Sequence, residues 1–371
     1  MKILITGGAG FIGSHLADRL LIEGHEVLAF DNLDPQVHPT GMRPAYLDSR
    51  VALLAGDVRD RRALAAAIDG IDAVFHFAAN VGVGQSQYQI ARYSSTNVLG
   101  TANLLDILAN EKHGVRKLVV ASSMSVYGEG LYRRPSDGAV VAGGIRSEEQ
   151  LARHDWELRD AATGEVLIPI PTTEEKLLRC ESVYALNKRD QEEYCLLFGR
   201  TWGIPVVALR FFNAYGARQS LNNPYTGVAA IFMGRLKQGL PPLIYEDGMQ
   251  SRDFVDVRDV AAACSLVLRD DRAGGRVFNV GTGGQISILA LCKLLGTVSG
   301  ISIEPEVTGQ YRKGDIRHCF ADCSAIESLG FSTSITLAAG LADLWNWSAA
   351  QEVAEVLPAA HEELKGRRLV I

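Results

Sequence analysis

Short apolar runs alternate with helical periodicity through the first half of the chain. Lys2–Thr6, Glu26–Asp31, Val51–Asp57, Ala73–Phe77 and Lys117–Ser122 have the length and continuous apolar character of buried strands. Between them, Ser14–Glu23, Asp60–Asp69 and Tyr93–His113 carry apolar residues at helix spacing. Such alternation predicts a parallel sheet covered by helices on both faces. A helix over Ser182–Trp202 then precedes a strand at Pro205–Arg210. The remainder mixes helices (Val228–Gly239, Asp256–Arg269, Leu289–Ser299, Thr336–Trp347) with short strands (Leu243–Tyr245, Val277–Val280), the pattern of a smaller lobe. Leu131–Leu178 breaks the rhythm with turn formers and charges. It reads as a surface excursion containing a helix near Ser147–Leu158, because so long a stretch without secondary structure would be unusual.

The length, 371 residues, suits one large α/β unit with a second, smaller one. Apolar residues at 47% and charged residues at 22% are ordinary for a soluble globular protein. The net charge of −6 argues against a general nucleic-acid binder, yet leaves room for a local basic pocket. No apolar run approaches the roughly 20 residues that span a bilayer, and the glycines after Met1–Thr6 mark a strand and turn rather than a targeting segment. Cys180, Cys195, Cys264, Cys292, Cys319 and Cys323 lie far apart, as expected of free thiols in a reducing cytoplasm. His318, Cys319 and Cys323 lack a second ligand pair, so no metal is expected there.

The first turn carries the clearest chemistry. In Thr6-Gly7-Gly8-Ala9-Gly10-Phe11-Ile12-Gly13, glycines at 7, 10 and 13 allow a tight turn, close approach of a pyrophosphate and close helix–strand packing. The N-terminus of the following helix then faces the phosphates. Asp31, with Asn32 behind it, ends the second strand. A carboxylate there binds ribose hydroxyls and repels a 2′-phosphate, which favours NAD over NADP. The expected fold is therefore α/β: a Rossmann-type doubly wound parallel sheet with a smaller mixed α/β substrate-binding lobe. Residues 1–210 are expected to form the NAD-binding part, with the insertion 131–178 and a helix at 182–202. Residues 211–371 form mainly the second lobe, with about 252–270 returning to the first.

Gly-x-x-Gly-x-x-Gly resembles the short-chain dehydrogenase/reductase superfamily, and the full Thr6–Gly13 run resembles its extended branch, the NAD-dependent nucleotide-sugar epimerases and dehydratases. Gly56-Asp57-Val58, His76-Phe77-Ala78-Ala79, Asn97–Thr101, Ser122–Gly128, Tyr184–Lys188, Arg210–Gly216 and Arg252–Val255 continue the likeness along nearly the whole chain. Arg218-Gln219, Asn223–Gly227 and Gly314–Asp322 look like bacterial deoxysugar epimerases of the dTDP-L-rhamnose 4-epimerase kind, beside the UDP-galactose 4-epimerase kind.

Tyr184 and Lys188, four apart on a helix, share one face. A phenol with a pKa of about 10 is a poor base at neutral pH, and a nearby ammonium together with a positive nicotinamide ring would lower that value. Ser123, ending the fifth strand, can bond the same substrate oxygen. The resemblance implies the same catalytic roles for Ser123, Tyr184 and Lys188. It also implies that Asp57 and Val58 meet the adenine, that Phe77, Ala78, Ala79 and Asn97 line the cofactor, and that Phe211 lies near the nicotinamide. For Asn97 a backbone partner's role stays open, and His76 reads as a structural histidine. On the substrate side the likeness implies diphosphate contacts from Asn213, Arg252 and Arg312, a ribose contact from Asp315, and a size gate at Cys319 widened by its small thiol.

The position after the catalytic serine separates reactions within the family. Dehydration needs an extra acid and base there, and this chain has Met124 and Ser125. C4 epimerisation of a nucleotide-diphosphate sugar, a dTDP-deoxysugar or a UDP-sugar, is thus the expected function. A 4-ketoreductase, a 4,6-dehydratase and a non-enzymatic dinucleotide sensor stand as alternatives. Relatives dimerise through the helices matching Tyr93–His113 and Ser182–Trp202, so a homodimer is expected. Leu104, Leu105, Leu108, Leu196 and Leu197 could serve that contact or pack on the sheet. Neither a nucleic acid nor a membrane is an expected partner.

Overall fold

The computed structural model describes residues 1–355 and 357–371. Strands β1 (Lys2–Thr6), β2 (Glu26–Asp31), β3 (Ala52–Ala55), β4 (Ala73–His76) and β5 (Lys117–Ser123) join Val206–Phe211 and Val277–Val280 in one seven-stranded sheet. Every pairing is parallel. Across the sheet the order is Val277–Val280, Val206–Phe211, β5, β4, β1, β2, β3. The chain reverses its direction of travel between β1 and β4, and ligands bind outside the strands' carboxyl ends at such a switch point.

Alternation along each strand builds two cores. Ile3, Ile5, Phe75, Val119 and Leu209 face helix α1 (Phe11–Ile22) and the helix Val257–Arg269. Leu4, Val74, Leu118 and Val120 face the opposite side, against Leu64, Leu104, Leu108 and Phe198. A separate cluster around Phe232, Met233, Leu291 and Leu344 is the core of the smaller lobe.

Three departures from the sequence pattern have physical causes. Val277–Val280 belongs to the main sheet as its edge strand beside Val206–Phe211, not to the smaller lobe. Its short apolar run is equally suited to either place, and only the pairing decides. The helix expected over Tyr93–His113 runs Ile90–Asn110 and contains one wide turn, Ser95–Leu99. There the Asn97 side chain turns away to hold the Asn80 main chain. Finally, the helix expected at Ser147–Leu158 is only Glu148–Ala152, capped by Ser147. The insertion is instead built on a three-stranded antiparallel sheet, Val140–Ala142, Leu131–Arg133 and Ile168–Ile170.

Candidate active site

A cavity of about 600 Å³ opens at the carboxyl ends of the strands and runs between the two lobes. That lies within the usual range for small-molecule sites. Its floor on one side is the glycine turn. Gly7 has φ +73°, and a side chain there would press on the Phe77–Ala78 backbone. A Cβ on Gly13 would collide with the Gly7 carbonyl. No side chain caps α1 after Gly10, so the N–H groups of its first turn remain available. Phe11, Ile12 and Gly13 line the cavity at that point, which is the arrangement that receives a pyrophosphate.

Asp31 is held rigidly, its two oxygens accepting from Ala9 N at 3.0 Å and Leu33 N at 2.9 Å. Asn32 donates to Asp57 at 3.1 Å, and Arg59 grips the same carboxylate at 2.6 and 2.9 Å. The Arg59 hydrogen bonds bring Asp57 down to about 2. Asp31, Asn32, Asp57 and Val58 share the cavity wall with Phe77, Ala78 and Ala79. These residues fit NAD: a glycine cradle too close for side chains, an open helix N-terminus, and a fixed carboxylate at the ribose position. A 2′-phosphate would sit against Asp31, and juxtaposed like charges are costly. NADP is therefore expected to bind at least about tenfold more weakly than NAD, and equal affinities in a calorimetric titration would refute this.

Ser182 caps the helix Val183–Trp202, accepting from Ala185 N at 3.0 Å, and Ser86 Oγ accepts from Tyr184 N at 3.0 Å. The start of this helix is thereby fixed over the cavity, where Tyr184, Lys188 and Ser123 meet. Ser123 Oγ accepts from Ser125 N at 3.2 Å and from the Ser125 hydroxyl at 2.9 Å, which leaves its own proton free to donate. Phe211 packs edge-on against Phe77, ring centroids 5.8 Å apart.

The titration of the pair differs from the expectation. Burial pushes the Tyr184 phenol up to about 12, with the Ser123 hydrogen bond acting in the opposite direction. Burial also brings Lys188 down to about 7, while its ammonium donates to Ala121 O at 2.9 Å. Desolvation outweighs the pairwise attraction expected from helix spacing, so the protein alone does not prepare a phenolate. Lys188 also gives folding a pH dependence. Between about pH 7 and its ordinary value of 10.5 the unfolded chain holds the proton and the folded one does not. The contribution of Lys188 to stability thus rises with pH across that window by about 1.4 kcal/mol per unit. Urea unfolding of cofactor-free protein at pH 7.5 and 8.5 should show this slope as the difference between wild type and Lys188→Met, a comparison that cancels the opposite pull of the buried thiols, whose values burial raises.

On the other wall, Asn213, Arg252, Arg312 and Asp315 reach the cavity. Asn213 Oδ1 is buried and has no partner among the described residues, an unfilled acceptor suited to a ligand donor. Arg312 Nε donates to Asp315 at 2.8 Å and its guanidinium lies 5.0 Å over the Tyr245 ring. Arg252 donates to the carbonyls of Ser251, Ile316 and Arg317.

Two candidates lie elsewhere. Asn97 is fully buried behind the wall and bonds both ways to Asn80, N–H to Oδ1 at 2.8 Å and Nδ2 to O at 3.1 Å. It shapes the loop that lines the cavity rather than lining it. Cys319 is buried under the insertion, its thiol 3.8 Å from Thr172 Oγ1, so it does not gate the pocket; Ile316 is the wall residue of that segment. His76 is enclosed between Thr6 Oγ1 and Thr101 Oγ1, both at 2.9 Å, and burial brings it down to about 3, a neutral structural histidine.

The sequence pattern missed two contributors. Leu357, Ala360, His361 and Leu364 line the cavity from a C-terminal helix, Leu357–Gly366. Their spacing was the available signal. The insertion contributes no lining residue between 129 and 179. It braces the Arg312–Arg317 loop from outside. Arg146 donates to the Asp315 carbonyl at 3.0 Å, and Glu129 accepts from the backbone N–H groups of Arg317 and His318.

The family model described as the NAD dependent epimerase/dehydratase family matches residues 3–149 and 160–281. A protein of Burkholderia thailandensis named dTDP-L-rhamnose 4-epimerase is 35% identical over 353 residues, 94% of this chain and 95% of its own. The human protein named UDP-glucose 4-epimerase is 31% identical over 373 residues, 93% and 96% of the two chains. Among solved structures, UDP-glucose 4-epimerase of Thermotoga maritima with UDP-glucose superposes with a TM-score of 0.77 at 29% identity, covering 94% of this chain and 99% of that one. The UDP-glucose 4-epimerase of Thermus thermophilus in complex with NAD gives 0.73 at 29% identity, covering 95% and 100%.

Proposed function

The chain belongs to the NAD-dependent epimerase/dehydratase family, and from that premise we infer that it inverts C4 of a nucleotide-diphosphate sugar. The observation that carries this reading is the convergence of Ser123, Tyr184 and Lys188 with the glycine cradle and the arginine wall on one cavity. Met124 and Ser125 follow Ser123, so no acidic pair stands where dehydration would need one.

Bound NAD supplies the hydride acceptor and later the hydride donor. Tyr184 takes the proton of the C4 hydroxyl as that carbon is oxidised, and Ser123 donates its free hydroxyl proton to the same oxygen. Lys188 binds the nicotinamide ribose and, with the cofactor's positive charge, offsets the burial that holds the phenol protonated. The 4-keto sugar then presents its other face, and Tyr184 returns the proton. Arg252, Arg312 and the Nδ2 amide group of Asn213 hold the diphosphate through this rotation, and guanidinium groups suit that planar, charged recognition. Asp315 binds the nucleotide ribose. Asp31 and Asn32 hold the adenosine ribose, and Asp57 and Val58 the adenine.

A dTDP-deoxysugar such as dTDP-L-rhamnose is the preferred substrate on the strength of the Burkholderia relative, with a UDP-hexose as the second. Proton NMR of purified protein with each sugar nucleotide tests the reading. Conversion to the C4 epimer without added cofactor supports it. Stoichiometric consumption of reduced cofactor, or loss of water from the sugar, overturns it.

The enzyme is proposed to work in the cytoplasm as a homodimer. No helix among the described residues is long and apolar enough to cross a membrane. Leu104 and Leu108 are spent on the sheet, and Leu105 and Leu196 pack beside them. Leu99, Leu186, Tyr194 and Leu197 remain exposed on the same helices, Leu197 by 55%. Light scattering at micromolar concentration should give twice the chain mass, and Leu197→Glu should shift it to the monomer.

A further inference from the structure

The C-terminal helix Leu357–Gly366 lies beyond the residues matched by the family model. Leu357, Ala360, His361 and Leu364 stand at i, i+3, i+4 and i+7, so they share one face, and all four line the cavity. The helix is fastened across the mouth of the cleft. On the sheet side, the Tyr88 hydroxyl donates to Glu363 at 2.9 Å, Arg367 lies 4.2 Å over the Tyr88 ring, and Leu364 packs at Gly84. On the lobe side, Tyr245 Oη and His361 Nδ1 are 2.7 Å apart, and the two rings stack at 26°. The chain end returns to the loop that carries Arg312. Ile371 exchanges two backbone hydrogen bonds with Tyr311, and Lys313 N donates to Leu369 O.

Tyr245 therefore joins His361 to Arg312, whose guanidinium covers its ring at 5.0 Å. These three side chains form one continuous wall of the cavity. The Tyr245 phenol, which burial holds protonated, can donate to Nδ1 across this distance, and in that arrangement Nδ1 is the acceptor. In that tautomer the ring proton sits on Nε2. Among the described residues Nε2 has no partner, and the ring lines the cavity as a hydrogen-bond donor. The reacting carbon of a sugar must lie at Ser123 and Tyr184, so the wall shared with Arg312 faces the other half of the molecule.

We propose that His361 is a specificity-determining residue whose Nε2–H donates to the nucleoside-diphosphate half of the substrate, and that the helix carrying it is the outer wall of the pocket. The assignment rests on the nucleotide-sugar reading above but is testable apart from turnover. His361→Asn keeps a group that can accept from Tyr245 and removes the outer donor. His361→Gln reaches far enough to replace that donor. With the full-length, NAD-loaded protein, free dTDP and free UDP serve as probes in calorimetry. For whichever probe binds the wild type more tightly, His361→Asn should raise Kd about tenfold, and His361→Gln should restore most of the loss, as expected for leaving a ligand acceptor unsatisfied. The effect on turnover should fall on KM rather than on kcat at saturation. Unchanged Kd in His361→Asn overturns the proposal, as does a raised KM with unchanged Kd, which would place the contact on the sugar. Equal losses in both variants would mean that His361 only packs the helix. If no sugar nucleotide turns over while the Kd pattern holds, the epimerase reading fails and this one stands.

Discussion

Tyr184→Phe should lower turnover at least about a hundredfold, the lower end for loss of a general base, while NAD content stays at the wild-type level. The substitution keeps the ring that fills the buried site beneath Ser86 and Ser123 and removes only the oxygen that exchanges the proton. The glycine cradle and Asp31 belong to β1, β2 and α1, so cofactor binding has no direct dependence on that oxygen. The pH profile sharpens the test. Burial sets the phenol near 12 and the ammonium near 7 in the protein alone. The wild-type rate should therefore rise with pH while the phenolate form is being populated. Residual activity of Tyr184→Phe should lose that rise. Near-normal turnover in the variant would remove Tyr184 from the reaction.

The sheet, the glycine turn and the helix Val183–Trp202 were legible because each obeys a local rule. Lys2–Thr6 is a continuous apolar run, Gly7–Gly13 sits between a strand and a helix, and Tyr184 and Lys188 share a helix face. What escaped depends on contacts distant in sequence. Val277–Val280 joins the main sheet only through its pairing with Val206–Phe211. Asn97 and Cys319 carry side chains suited to a ligand, but each spends its polar group on a neighbour, Asn80 or Thr172. The direction of the Tyr184 titration was not legible either, because helix spacing gives the proximity of two groups and says nothing of how deeply both are buried. His361 needed the last turn of chain to be folded back across the cleft, which no motif announces.

The insertion, a surface excursion in the sequence pattern, makes the strongest prediction about stability. Glu246 is almost wholly buried and joins two arginines: Arg146 grips it at 2.8 and 2.9 Å, and Arg317 meets it at 2.9 Å. Arg317, with no exposed surface, also binds Glu157 of the insertion and Asp247 of the smaller lobe. Arg146 uses a remaining hydrogen to hold the Asp315 carbonyl. Glu246→Gln keeps volume and shape but leaves two buried guanidinium groups sharing fewer negative charges. Breaking a buried pair from one side costs about 3–5 kcal/mol. Glu157 and Asp247 still answer Arg317, so a loss of about 3 kcal/mol is expected. The loss should be read as a lower denaturant midpoint at unchanged slope. Because Arg146 holds the backbone of the loop that carries Arg312 and Asp315, the KM for the nucleotide sugar should rise as well. NAD binding, seated at the opposite wall, should not change. A variant as stable as the wild type, with the same KM, would show that the insertion is a decoration and that the substrate loop holds its shape without it.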